Sequence, residues 1–172
     1  ACILYFVYKN GYNYENLNRL PMESELYAFK ISQLFIPAGY HVLAKFRELS
    51  DFFYYHSAYA NENATASLGI LICVGLIISI SNLLSNVLNR EKINSVLLAD
   101  TRILIAGLFI LFFTLFASMG GLVSLYSLLI SSTARGWNRV SIYIACFAII
   151  SLTILFDQIF YKIKNKVFHY LI

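Results

Sequence analysis

Long stretches of this 172-residue chain carry no charge, and that constrains its fold more than any motif does. No Asp, Glu, Lys or Arg occurs in residues 63–89, 103–134 or 140–156. A helix of about 20 apolar residues crosses a hydrocarbon layer ~30 Å thick. The chain is 59% hydrophobic and 13% charged, against about 25% charged in a soluble domain. This balance excludes an ordinary soluble domain, a disordered tail, a disulfide scaffold and a basic nucleic-acid binder. It predicts an all-α integral membrane helical bundle of about three transmembrane helices plus extracytoplasmic amphipathic helices. Membrane lipid is the expected partner, and no nucleic acid is.

The runs place the spans. The first is expected over 66–88, where Gly69, Gly75, Ser79, Ser81 and Ser85 suit close helix contact. The second is expected over 103–119. Gly120 and Gly121 then divide the long charge-free run, so residues 120–131 read as a kinked continuation, a re-entrant turn or simply the helix end. The third is expected over 140–161. Residues 162–172 (KIKNKVFHYLI) form a basic tail beside the membrane.

Charge sets the orientation. Residues 1–65 carry a net −1 and residues 66–172 a net +5. Basic loops favour the cytoplasmic side. Residues 89–102 and 162–172 are therefore expected inside, and residues 1–65 and 132–141 outside. The chain begins with Ala1 and an apolar stretch, ACILYFVY. It reads as a piece of a longer protein, whose remaining transmembrane helices are expected partners.

Residues 1–65 hold no span. Residues 25–36 set Tyr27, Ile31, Leu34 and Phe35 on one helical face, closed by Pro37 and Gly39. Residues 41–55 repeat apolar positions at Val42, Phe46, Leu49 and Phe53. Both read as short amphipathic helices lying at the interface or capping the bundle. Cys2, Cys73 and Cys146 each sit in apolar sequence, without CxxC spacing, and read as buried small hydrophobes.

Several groups of residues have the right chemistry for a site. In PMESE (residues 21–25), Glu23 and Glu25 would share a face if extended and diverge by about 200° if helical. Together they would bind a divalent cation or act as a general base. On a helix they would instead favour its first turn. Asn61, Glu62 and Asn63, just before the first span, would orient a sugar or phosphate, or form a polar stop and N-cap. Arg135 and Arg139, in ARGWNR, would make a phosphate fork on one helical face. With Trp137 they would alternatively anchor to lipid head groups. His41, His56 and His169 stand alone, without metal-ligand spacing, and no metal site is expected from them. Asp157 suits a pair with Lys162 or a neighbouring helix, or a proton relay.

The order LPMESELYAFKISQLFIP, GYH, NENATASLGI, MGG and ARGWNRVSIYIA resembles bacterial polytopic proteins of the GT-C glycosyltransferase-like class, including YfhO-like and sugar-translocase-like members. The resemblance covers residues 21–150. It implies transfer of a sugar from a polyprenyl-phosphate-linked donor at the outer face of the cytoplasmic membrane, for cell-envelope glycan assembly. It implies acidic residues for activation, at Glu23 and Glu25 by character. It implies basic residues for the donor phosphate, at Arg135 and Arg139. His41, Asn61, Glu62, Asn63 and Trp137 complete the expected substrate-binding set. Such enzymes have around ten spans, and this chain has about three. A carrier or flippase of lipid-linked sugars, or a non-catalytic membrane scaffold, also fits the residues.

Overall fold

The computed structural model describes residues 2–11, 20–88, 100–134 and 136–170, and every regular element among them is helical. In chain order these are α1 (Cys2–Asn10), α2 (Pro21–Leu26), a 3-10 turn (Ile31–Leu34), α3 (Ala44–His56), a second 3-10 turn (Glu62–Ala66), α4 (Ile70–Leu88), α5 (Thr101–Ala117), α6 (Leu122–Leu129), a third 3-10 turn (Trp137–Val140) and α7 (Ser141–Tyr170). The long apolar helices α4, α5 and α7 pack on one another in all three pairings. Two stretches, Ile70–Leu88 and Trp137–Lys164, are long and apolar enough to cross a membrane; Thr101–Ala117 is apolar but shorter.

The helix boundaries have local causes. Gly69, at φ +78°, turns the chain just before α4, so that helix starts later than residue 66. Asp100 caps α5, its Oδ1 accepting from the Arg102 backbone N–H at 2.9 Å. Gly120, at φ +74°, reverses the chain after α5. The glycine pair therefore ends a helix, and α6 is a separate short element that packs on α2. The backbone freed by this break is taken up by protein: the Met119 N–H donates to the Phe29 carbonyl at 2.8 Å. The third long helix runs on through the lysine-bearing tail to Tyr170.

The bundle sets small and polar residues inside beside Leu76, Leu83, Ile103, Ile110 and Ile144, and leaves most of its large apolar side chains outside. A Cβ on Gly75 would lie 2.2 Å from the Ala148 carbonyl oxygen of α7, and one on Gly107 would lie 2.7 Å from the Ser79 carbonyl oxygen of α4. Ser79, Asn82 and Ser151 are fully buried, while Leu71, Ile77, Leu108, Phe112 and Ile142 are exposed. Only 28% of the most apolar stretch of α4, and 22% of that of α7, is buried. The small-residue expectation holds at Gly75 and Ser79. Ser81 faces outward. Of the cysteines, Cys73 is buried and its thiol donates to the Leu34 carbonyl, whereas Cys146 is exposed.

One end of the bundle is tied by Asp100. Its Oδ2 accepts from Arg102 Nη2 at 2.8 Å and from Gln158 Nε2 of α7 at 2.9 Å. Gln158, and not its neighbour Asp157, makes this link across to α5. The Arg102 hydrogen bond holds the Asp100 carboxyl below its ordinary range, against a smaller opposing effect of burial.

The amphipathic segment differs from the periodic reading in one half. Residues 41–55 do become a helix, α3, although Val42 precedes it and it is Ser50 that is buried. Residues 25–36 do not form one helix. Helix α2 ends at Leu26 and the chain continues to the 3-10 turn that starts at Ile31. The apolar pattern there reports burial of Ala28, Phe29 and Leu34, and the carbonyls of residues 26–29 pair with other elements.

Gly75→Ala is expected to lower stability by about 1–3 kcal/mol through overpacking, while Ser81→Ala stays within about 0.5 kcal/mol; denaturant unfolding in detergent measures both. Because the Asp100 carboxyl is depressed in the folded chain, its contribution is complete above the ordinary carboxylate range. It is lost as pH falls through the lowered value. An acid titration of stability is expected to flatten in Asp100→Asn.

Candidate functional site

The segment after α2 organises the polar end of the molecule. The carbonyls of residues 26–29 each accept from a different residue. Leu26 O takes Asn61 Nδ2 at 2.8 Å, and Tyr27 O takes the Asn138 N–H at 3.1 Å. Ala28 O takes Asn63 Nδ2 at 3.3 Å, and Phe29 O takes the Met119 N–H at 2.8 Å. The segment is thus held by the turn before α4, the loop after α5 and the turn before α7.

Asn63 is the hub of this arrangement. It is fully buried. Its Oδ1 accepts from Gln33 Nε2 at 2.9 Å and from the Asn61 N–H at 3.2 Å. Its Nδ2 donates to Tyr59 O at 3.0 Å as well as to Ala28 O. All four hydrogen-bonding positions of the amide are filled by protein. Asn61 caps the Glu62–Ala66 turn, accepting from the Asn63 N–H at 3.0 Å. Asn138 Nδ2 donates to Glu62 O at 2.9 Å and to Thr65 Oγ1 at 3.1 Å, and its Oδ1 is buried without a partner. Gln33 and Asn138 belong to this network, yet the sequence pattern did not mark them. The only available signal was a polar amide inside an apolar or basic run.

The candidate carboxylates lie on α2. Within that helix Glu23 and Glu25 point to diverging directions, so the shared face of the extended alternative is not formed. Glu25 faces a cleft of about 570 Å³ at the glycine turn, lined also by Leu115, Ser118, Gly121, Ser124 and Leu125. It also lines a smaller cavity of about 180 Å³ with Met22, Tyr59 and Met119. The hydroxyl of Ser124, in the larger cleft, is buried without a partner. Glu25 is therefore an acid that lines two openings, on a helix held in place by Ser24 Oγ to Ala134 O at 3.1 Å and Ser127 Oγ to Pro21 O at 3.1 Å.

The other candidates stand apart from it. Trp137 is boxed by Phe116 and Tyr126, with ring centroids at 5.4 and 5.7 Å, and its indole N–H donates to Ala134 O at 2.9 Å. Arg139 is exposed on the third 3-10 turn and lines neither opening at Glu25. Arg135 lies outside the described residues. The expected arginine fork therefore falls in part outside the described residues, and Arg139 is carried by the turn that begins at Trp137. His41 lines a separate cavity of about 230 Å³ beside the start of α4. Its Nδ1 accepts from the Leu43 N–H at 3.1 Å. Glu62 contributes its backbone carbonyl to the network through Asn138. Tyr54 donates to Ala64 O at 3.2 Å, and burial pushes its hydroxyl above the ordinary range. Among the described residues, no three of His, Cys, Asp and Glu gather as a metal-binding group.

No family model, no curated protein and no solved structure matches this chain.

Removing the hub amide tests the network. Asn63→Ala leaves Ala28 O, Tyr59 O and the Gln33 amide without their partners, and is expected to cost about 2–4 kcal/mol. Thermal unfolding in detergent measures it; an unchanged midpoint would show that residues 26–29 are held without it.

Proposed function

We propose that the chain is part of a membrane-embedded transferase resembling the GT-C class. It would sit in the bacterial cytoplasmic membrane and use a polyprenyl-phosphate-linked sugar donor. The membrane part of this reading rests on one observation. The long helices bury glycine, serine and asparagine beside a few large residues (Leu76, Leu83, Ile103, Ile110 and Ile144), and they expose most of their leucine, isoleucine and phenylalanine. In water that arrangement leaves most of the hydrophobic driving force unused. In lipid it is the expected one, because tails solvate the outer face and small residues allow close helix contact.

Topology is consistent with the same reading. Residues 20–68 contact the loop after α5 and the turn before α7, at one end of the bundle. The Asp100–Gln158 link ties α5 to α7 where α5 begins. This arrangement suits residues 1–65 and 132–141 on the outer side, and residues 89–102 and 162–172 on the cytoplasmic side.

Glu25 is the acid best placed for chemistry, since it borders an opening whose remaining walls are mostly apolar. As a general base it would take the proton of an acceptor hydroxyl. The hydroxyl oxygen would then bond to the sugar's anomeric carbon as the bond to the donor phosphate breaks. Arg139, exposed at the same end, with Arg135 would hold that phosphate. Glu23, on a diverging face, has a lesser claim to the chemistry.

Binding of a polyprenyl-phosphate-linked sugar in nanodiscs tests this reading, with the wild type beside Arg135→Ala/Arg139→Ala and Glu25→Gln. The double variant is expected to lose binding while keeping its helical spectrum. Glu25→Gln is expected to keep binding and to lose transfer by about 100-fold or more. Transfer unchanged in Glu25→Gln would take the base role away from Glu25, and binding without transfer in the wild type would leave a carrier of lipid-linked sugars. No binding in the wild type would leave a scaffold.

A further inference from the structure

The turn before α3 projects apolar side chains that nothing among the described residues covers. Tyr40 is 91% exposed and Val42 is 92% exposed, and Leu43 beside them is also exposed. This exposure does not come from a loose loop. The His41 N–H donates to Ala38 O at 3.0 Å, the Leu43 N–H donates back to His41 Nδ1 at 3.1 Å, and the imidazole meets Phe46 of α3 edge-on at 4.8 Å. The braced backbone fixes Val42 at the apex and directs its side chain away from the protein.

The position of the apex indicates its partner. The turn borders the same cavity as Ser67, Gly69 and Ile70, so it stands beside the first residues of α4. Ile70 and Leu71, in the first turn of that helix, are exposed as well. The apolar tip thus continues the outward face of α4 at the level where that helix starts. Along α3 the surface carries on through Leu49, Phe52 and Tyr55, all exposed. Tyrosine at such a level keeps its ring in the acyl boundary and its hydroxyl in the head groups.

We infer that the turn at residues 40–43, continued by the exposed edge of α3, is a preformed wedge that inserts into the outer head-group layer of the bilayer beside α4. The inference rests on the membrane reading of the bundle and adds a second contact with lipid, made by a segment that does not span. The wedge would fix the height and tilt of residues 20–68 over the membrane, and with them the level of the opening at Glu25. His41 acts here as a brace for the turn.

Single tryptophan variants reconstituted in vesicles of phosphatidylglycerol and phosphatidylcholine test it. The chains would carry Val42→Trp or Ile77→Trp, and the signal of native Trp137 in the wild type would be subtracted. Lipids brominated near the glycerol or near the chain end report depth. Ile77 is exposed on the middle of α4, and its variant reports whether the bundle lies in the bilayer. Val42 has open space around it, so the larger side chain causes no clash. The expected result is chain-end quenching of Ile77→Trp, and blue-shifted emission from Val42→Trp with stronger quenching by the glycerol-level bromines. Quenched Ile77→Trp with unquenched, water-like Val42→Trp overturns the wedge and keeps the bundle in the membrane. No quenching of either overturns both.

Discussion

The carbonyl groups of residues 26–29 are where the separate parts of this chain are joined. An unpaired buried carbonyl costs about 1–3 kcal/mol. Ala28 and Phe29 are fully buried, so this strip needs donors, and it cannot supply them by coiling into a helix. The donors come from Asn61, Asn63, Met119 and Asn138. Asn61 and Asn63 lie before α4, Met119 after α5 and Asn138 before α7. Satisfying one short strip of backbone therefore fixes the start of α4, the end of α5 and the start of α7 together, and it positions α2 with Glu25 above the glycine turn.

The bundle answers to a different rule. Its inner seam mixes small and polar residues with a few buried isoleucines and leucines, so close backbone approach supplies much of the attraction. Gly75 against Ala148 and Gly107 against Ser79 bring the helices to distances that a β-carbon would not allow. Dispersion gains grow as backbones approach. An aromatic row supplements them, with Phe109 stacked on Phe147 at 4.8 Å and Phe113 stacked on Tyr143 at 5.5 Å. The polar end and the seam meet at Cys73, which packs in the core and donates to Leu34 O.

The two kinds of order differ in how readable they are. Charge-free runs marked α4, α5 and the start of α7 within a few residues, since a run without charge has few other solutions; α7 continues to Tyr170, past the expected end at residue 161. The period of residues 41–55 gave α3. The same kind of period in residues 25–36 misled, because Ala28, Phe29 and Leu34 meet distant partners (Asn63, Met119, Leu68 and Cys73) and do not share a helical face. Asn61 and Asn63 were visible as a polar pair. Whether their amides would face a ligand or a backbone depended on where Leu26 and Ala28 came to lie. Gln33 left no trace because one amide in an apolar stretch has no period.

The sequence by itself determined that the chain is helical, that its long helices run through charge-free stretches, and that the chain would bend or break at the glycine pair. These follow from local composition and from the conformations that glycine permits. Only the tertiary structure decided that Glu23 and Glu25 diverge, that Asn63 is fully enclosed, that Trp137 is boxed by Phe116 and Tyr126, and that Val42 stands free. The reason is that hydrogen-bond partners and burial belong to pairs of residues far apart in the chain. A linear pattern can state what each residue offers, but not which group it will meet.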